Sequence, residues 1–165
     1  MLLDNENSQF HTLWGYENLH SGDEISPSME DYLEMIYRYC MPDEGKNLLK
    51  LKNKNHKPIG DNHTVSVTTL AKNLNVRPSS ASKMVVHLKN KEYVAFEKYG
   101  KISLTKKGMD YGKYLLKRHK ILNDFFCLIN GSHSELEQVE RIEHFLTPKT
   151  IKNIEKLLKA LDNSK

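Results

Sequence analysis

Cysteine is scarce in this 165-residue chain: there are two, Cys40 and Cys127, far apart and without a CxxC partner. That usage fits a reduced, cytoplasmic compartment, with both thiols expected in the core. No stretch approaches the ~18 apolar residues of a membrane span. Mean hydropathy is −0.63, so no membrane partner is expected. The opening MLLDNENSQFHTLWGY lacks a basic start and a long apolar run, which argues against a secretory leader. An HExxH, a phosphate loop and a nucleophile constellation are also missing, and that weighs against an enzyme.

Charge is present but unevenly placed. The net value is +4, yet residues 64–120 carry 13 Lys and Arg against 3 Asp and Glu. Residues 1–63 hold 6 against 11, and residues 121–165 hold 6 against 7. A basic middle suits a nucleic-acid backbone, because each Lys or Arg near a phosphate releases condensed counterions. The acidic flanks need another role, either a divalent cation or simply solvated helix faces.

The periodicities predict a mainly α protein. Residues 1–25 read as a polar N-terminal extension. A helix is expected from Ser28, with Met29, Tyr32, Leu33, Ile36 and Tyr37 on its apolar stripe and Pro42 ending it. A Lys/Asn-rich loop follows, over about 43–63. It carries Lys46, Lys50, Lys52, Lys54 and Lys57, and reads as a solvated insertion or as a basic arm beside DNA.

Val67 to Leu74 makes a short amphipathic helix, Asn75-Val76-Arg77 a turn, and Pro78 or Ser79 opens a second helix with Ala81, Met84, Val85 and Leu88 buried. Strands at 93–96 and 102–104 form a hairpin wing. Thr105 caps a long helix ending at Asn130-Gly131, Ser134 and Glu137 match a capping box for ELEQVERIEHFL, and Thr147-Pro148 opens the last helix.

The order describes a winged helix-turn-helix over 26–104 and a linker helix with a helical dimerisation domain over 105–165. A helix-turn-helix presents the start of its second helix to the major groove. The candidate DNA contacts there are Arg77, Ser79, Ser80, Ser82 and Lys83, joined on the wing by Lys98, Tyr99 and Lys101. Double-stranded DNA is the expected partner. A homodimer is expected from the apolar positions Ile151, Ile154, Leu157, Leu158 and Leu161, and from the two-fold symmetry of operators.

Three clusters of hard donors flank this reader: Asp31 with Glu34, then His119, then Glu140 with Glu143 and His144. Spacings of i,i+3 and i,i+3,i+4 put each cluster on one helix face. Each alone reads as readily as a wet charged face, with Glu140, Glu143 and His144 opposite the apolar Leu136, Val139, Ile142, Phe145 and Leu146. Together, four carboxylates and two imidazoles suffice for one or two divalent ions. The combination suggests a metal-dependent transcriptional regulator.

The segments SPSMEDYLEMIY, VRPSSASKMVVHL, EYVAFEKYGKISLTKKG, KRH and VERIEHFL, in that order, resemble the manganese-responsive branch of the diphtheria toxin repressor family. The resemblance covers about Ser26 to Leu161, apart from the loop. It implies a winged helix, a helical dimer domain, and a site for two Mn²⁺ per chain at Asp31, Glu34, His119, Glu140, Glu143 and His144. It also implies that metal-bound protein represses manganese uptake genes. Iron-responsive relatives typically carry Met and Cys where Asp31 and Glu143 stand here. Competing readings are an iron- or zinc-responsive repressor of the same family, a winged-helix regulator with another signal, and a metal-dependent hydrolase.

Overall fold

A computed structural model describes residues 25–42, 64–96 and 100–163. The expectations for the N-terminal extension, the basic loop and the wing tip with Lys98 and Tyr99 fall outside these residues.

Helix α1 spans Pro27–Cys40, with Pro27 in the first turn and the Ser26 hydroxyl accepting the Met29 N–H at 3.3 Å. Met29, Tyr32, Leu33, Ile36 and Tyr37 are buried as the stripe required. So are Glu30, Glu34 and Arg38, because a second helix covers the charged side of α1. Strand β1 (Thr64–Val65) leads into α2 (Val67–Asn73) and α3 (Pro78–Asn90). The turn between these helices places Asn75 at φ 53°, the left-handed conformation Asn tolerates, and Val76 N–H closes onto Ala71 O at 3.0 Å. Leu70, Ala71, Ala81, Val85 and Leu88 face inward.

Strands β2 (Val94–Phe96) and β3 (Ile102–Leu104) form the hairpin. β1 joins it on the other edge, Val65 opposite Ile102, giving an antiparallel sheet of order β1-β3-β2. Sequence reading missed β1, since two residues show no alternation.

Helix α4 (Lys106–Asn130) starts at Thr105, whose Oγ1 accepts from Gly108 N–H at 3.0 Å, and stops at Gly131 with φ 61°. Two glycines let it lie close to its neighbours. A Cβ on Gly112 would come within 2.8 Å of the Tyr37 ring and Cβ, and one on Gly108 would meet Tyr93 O at 1.8 Å. This close crossing of α1 carries Arg118 and His119, one to two turns later, over Glu30 and Glu34.

The helix expected over ELEQVERIEHFL is broken. α5 spans Leu136–Ile142 and tightens into a 3₁₀ turn at Glu143–Phe145 before α6 (Pro148–Asp162). The capping box is not formed: Ser132 donates to Glu135 at 2.6 Å, Glu135 N–H donates to Asn123 Oδ1 at 3.0 Å, and Glu137 pairs with Arg141. Tightening to three residues per turn also rotates the faces. Phe145, expected inside, is 47% exposed, while Glu143 is 1% exposed.

Among the described residues the buried apolar side chains form two larger cores and a small cluster of Tyr37 and Leu116. One core joins α1, α2, α3, the sheet and Leu115; the other joins Ile121, Leu122, Val139 and Ile151. α4 runs through both. No helix among the described residues is long and apolar enough to cross a membrane.

Candidate metal centre and nucleic-acid face

Where the cores meet, charged groups from α1, α4 and the 3₁₀ turn are buried together. His119, fully buried on α4, points Nδ1 at Glu143 Oε2 (3.1 Å) and toward Glu34 Oε1 (3.9 Å). His144 sets Nε2 against Asp31 Oδ1 (2.9 Å), with Glu143 Oε1 at 4.0 Å. Donor atoms thus gather in two groups, Asp31–Glu143–His144 and Glu34–His119–Glu143, each within 4.8 Å. Glu143 is common to both. Five of the six residues singled out in the sequence converge; the sixth, Glu140, is exposed and stands outside the two groups.

Buried carboxylates need partners. Arg38 holds Glu34 through two hydrogen bonds to one oxygen. Arg118 and His144 hold Glu30 at 2.8 and 2.7 Å, and Tyr111 donates to its other oxygen. Burial would raise the Glu30 pKa, but these donors together hold it below the usual carboxylate value. Burial likewise opposes charge on His144, yet its bonds to Asp31 and Glu30 prevail and lift its pKa to about 9. Glu143 moves the other way: burial raises its pKa beyond what the His119 hydrogen bond takes back.

The residues fit a divalent cation. Both groups offer only carboxylate oxygen and imidazole nitrogen, and the buried Glu143 carboxylate, 1% exposed, stands in both. Neither cysteine belongs to a group.

α3 begins at Arg77 with no side-chain cap, and its first turn closes through Ser80 and Ala81 N–H onto Arg77 O at 3.0 and 3.1 Å. Arg77, Ser79, Ser80, Lys83 and Lys101 are exposed, and Ser82 is half-buried.

Comparison with known proteins agrees. The family described as "Iron dependent repressor, N-terminal DNA binding domain" matches residues 58–102, and "Iron dependent repressor, metal binding and dimerisation domain" matches 105–164. The chain belongs to the iron-dependent repressor family. It is 35% identical to the HTH-type transcriptional regulator MntR of Listeria welshimeri serovar 6b, over 84% of each chain. To the MntR of Lysinibacillus sphaericus it is 34% identical, over 84% of this chain and 87% of that one. The solved structure of the manganese regulator SloR shares the fold at TM-score 0.58 and 23% identity, covering 82% of this chain; this chain spans 55% of that longer one.

As an iron-dependent repressor, this protein is a metal-dependent DNA-binding regulator and not an enzyme. Its partners are DNA and a second copy of itself. Exposed Leu128, Ile129, Leu157 and Leu161 lie in the dimerisation half. Sequence reading missed Glu30, Arg38 and Arg118. Acids and arginines on a helix usually read as solvated, and only the crossing of α1 by α4 buries these three.

Proposed function

We propose that this protein is a cytoplasmic, manganese-responsive repressor that takes two Mn²⁺ per chain, one in each of the groups that share Glu143. The observation carrying this reading is the origin of the donors. Asp31 and Glu34 come from α1, within the core of the DNA-reading half, whereas His119, Glu143 and His144 come from α4 and the 3₁₀ turn. When bound, the cation supplies positive charge shared between carboxylates of the two halves.

The chain's own residues do the rest. Asp31 and Glu34 tie the reading head to the turn that holds Glu143 and His144, so α3 keeps one orientation relative to the dimer. Two such heads meet two half-sites with less ordering entropy to lose, and DNA affinity rises. Arg77, Ser79, Ser80, Ser82, Lys83 and Lys101, with Lys98 and Tyr99, form the DNA contacts of this reading. Glu140 lies one α-helical turn before Glu143 and could reach the first group from solvent.

Manganese fits the donor set because Mn²⁺ favours carboxylate and imidazole, while thiolate and thioether sites select softer metals. SloR carries manganese regulator in its name. Zinc outranks manganese in raw affinity, so selectivity rests on geometry. The alternative with direct support is iron, since the family is described as iron dependent.

The test selects duplexes from genomic fragments with the full chain, then compares affinity with chelator, Mn²⁺ and Fe²⁺ at matched free concentrations. At least tenfold tightening by Mn²⁺ is expected. Equal affinity in Mn²⁺ and chelator would overturn the reading, and activation by Fe²⁺ alone would replace manganese with iron.

A further inference from the structure

Beside the two ligand groups lies a buried carboxylate that neither of them uses. Glu30 is 7% exposed on α1, adjacent to Asp31 and one turn before Glu34. Its Oε2 lies 2.7 Å from His144 Nδ1 and 2.8 Å from Arg118 Nη2, and its Oε1 accepts from the Tyr111 hydroxyl. The second nitrogen of the same imidazole, Nε2, faces Asp31 at 2.9 Å and Glu143 at 4.0 Å. One ring edge thus looks into the first ligand group and the other into Glu30, the nearer of two groups at Nδ1, with Arg118 Nη2 at 3.2 Å.

An imidazole that gives one nitrogen to a cation carries its proton on the other. An acceptor there fixes both the tautomer and the ring's direction, and raises the ligand's basicity. We propose that Glu30 is the positioning residue of this centre, its carboxylate taking the Nδ1–H of His144 so that the Nε2 lone pair is aimed between Asp31 and Glu143. The inference rests on His144 being a ligand, as argued above.

Three features separate this role from that of another ligand or a plain ion pair. Both Glu30 oxygens are already engaged, by three donors. Two of those donors, Arg118 and Tyr111, stand on α4, so α4 fixes Glu30 and Glu30 fixes a residue of the 3₁₀ turn. Arg118, 3% exposed, pairs with Glu30 Oε2 at 2.8 Å without entering either donor group.

The test uses the full chain as wild type, Glu30→Gln and Glu30→Ala. Gln keeps an acceptor oxygen and the side-chain shape, which guards against Arg118 being left buried and unpaired. Mn²⁺ titration gives affinity and stoichiometry. Proton NMR of the Co²⁺-loaded protein follows the metal-shifted ring N–H of His144, identified by its loss in His144→Ala.

Expected are an unchanged number of ions, a loss of affinity on the order of 10- to 100-fold in the Ala variant, and a smaller loss in Gln. The ring N–H, slow to exchange in wild type, should exchange rapidly in Glu30→Ala. Wild-type affinity and slow exchange in both variants would overturn the role. A drop of one ion in Glu30→Gln would also overturn it, by making Glu30 a ligand. Wild-type protein that takes up no Mn²⁺ would instead sink the metal reading beneath it.

Discussion

Glu143 shows how little of a site one residue's sequence context reveals. By helical periodicity it belongs with the solvated acids opposite Val139, yet it is among the most deeply buried side chains, with a pKa raised by that burial. Its place between two donor groups makes it unlike Asp31, which serves one group and is 40% exposed at its side chain. The variants should therefore differ in kind. Asp31→Ala is expected to leave one Mn²⁺ per chain with the second lost, whereas Glu143→Gln should weaken both by about tenfold or more. Calorimetric titration separates them, and equal behaviour of the two variants would count against a shared carboxylate. Asp31, Glu34, Glu143 and His144 stood out in the sequence by short helical spacing and residue type, and His119 by residue type alone. Glu30 did not, because its role depends on Tyr111 and Arg118, more than 80 residues away.

At the scale of elements, the position of α4 on α1 decides whether a site exists. Gly112 permits that contact, and its substitution by Ala would push a methyl group against Tyr37. Gly112→Ala is expected to destabilise the protein by about 1–3 kcal/mol and to weaken Mn²⁺ binding. Thermal unfolding and titration would read both, and an unchanged stability would show that the crossing can open freely. Farther along, Lys117 on α4 and Lys159 bracket Glu155 on α6 at 2.8 Å each. Hydrogen bonds to these lysines lower the Glu155 pKa to about 2. A depressed carboxylate stabilises the fold above its unfolded pKa and loses that effect as pH falls through the folded one. The Tm deficit of Glu155→Gln should accordingly be small and constant above pH ~4.5 and fade toward pH ~2. A deficit that grows on acidification would contradict the pairing. The caps at Thr105, Gly131 and Thr147 were readable because capping is local chemistry, whereas the start of α1, read at Ser28, lies earlier, with Ser26 as its cap. The break after Ile142 was not readable, because nothing in VERIEHFL forbids a continuous helix, and packing against α4 selects the 3₁₀ turn.

For the molecule as a whole, the uneven charge map resolves into two functions carried by different elements. The basic middle presents α3 and the wing, and the acidic flanks meet at α1 and the 3₁₀ turn. The division at 104/105 was drawn from the order of elements. In the structure α4 contributes Leu115 to the first core and Ile121 and Leu122 to the second, so it ties the halves together along its length. A metal-responsive regulator gains from that design, because whatever holds α1 to the turn also sets where α3 points. The most direct measurement is calorimetric titration of the chelator-stripped full chain with Mn²⁺, read for ions bound per chain. Two groups sharing Glu143 predict two ions per chain; a single ion, or none, would contradict the account.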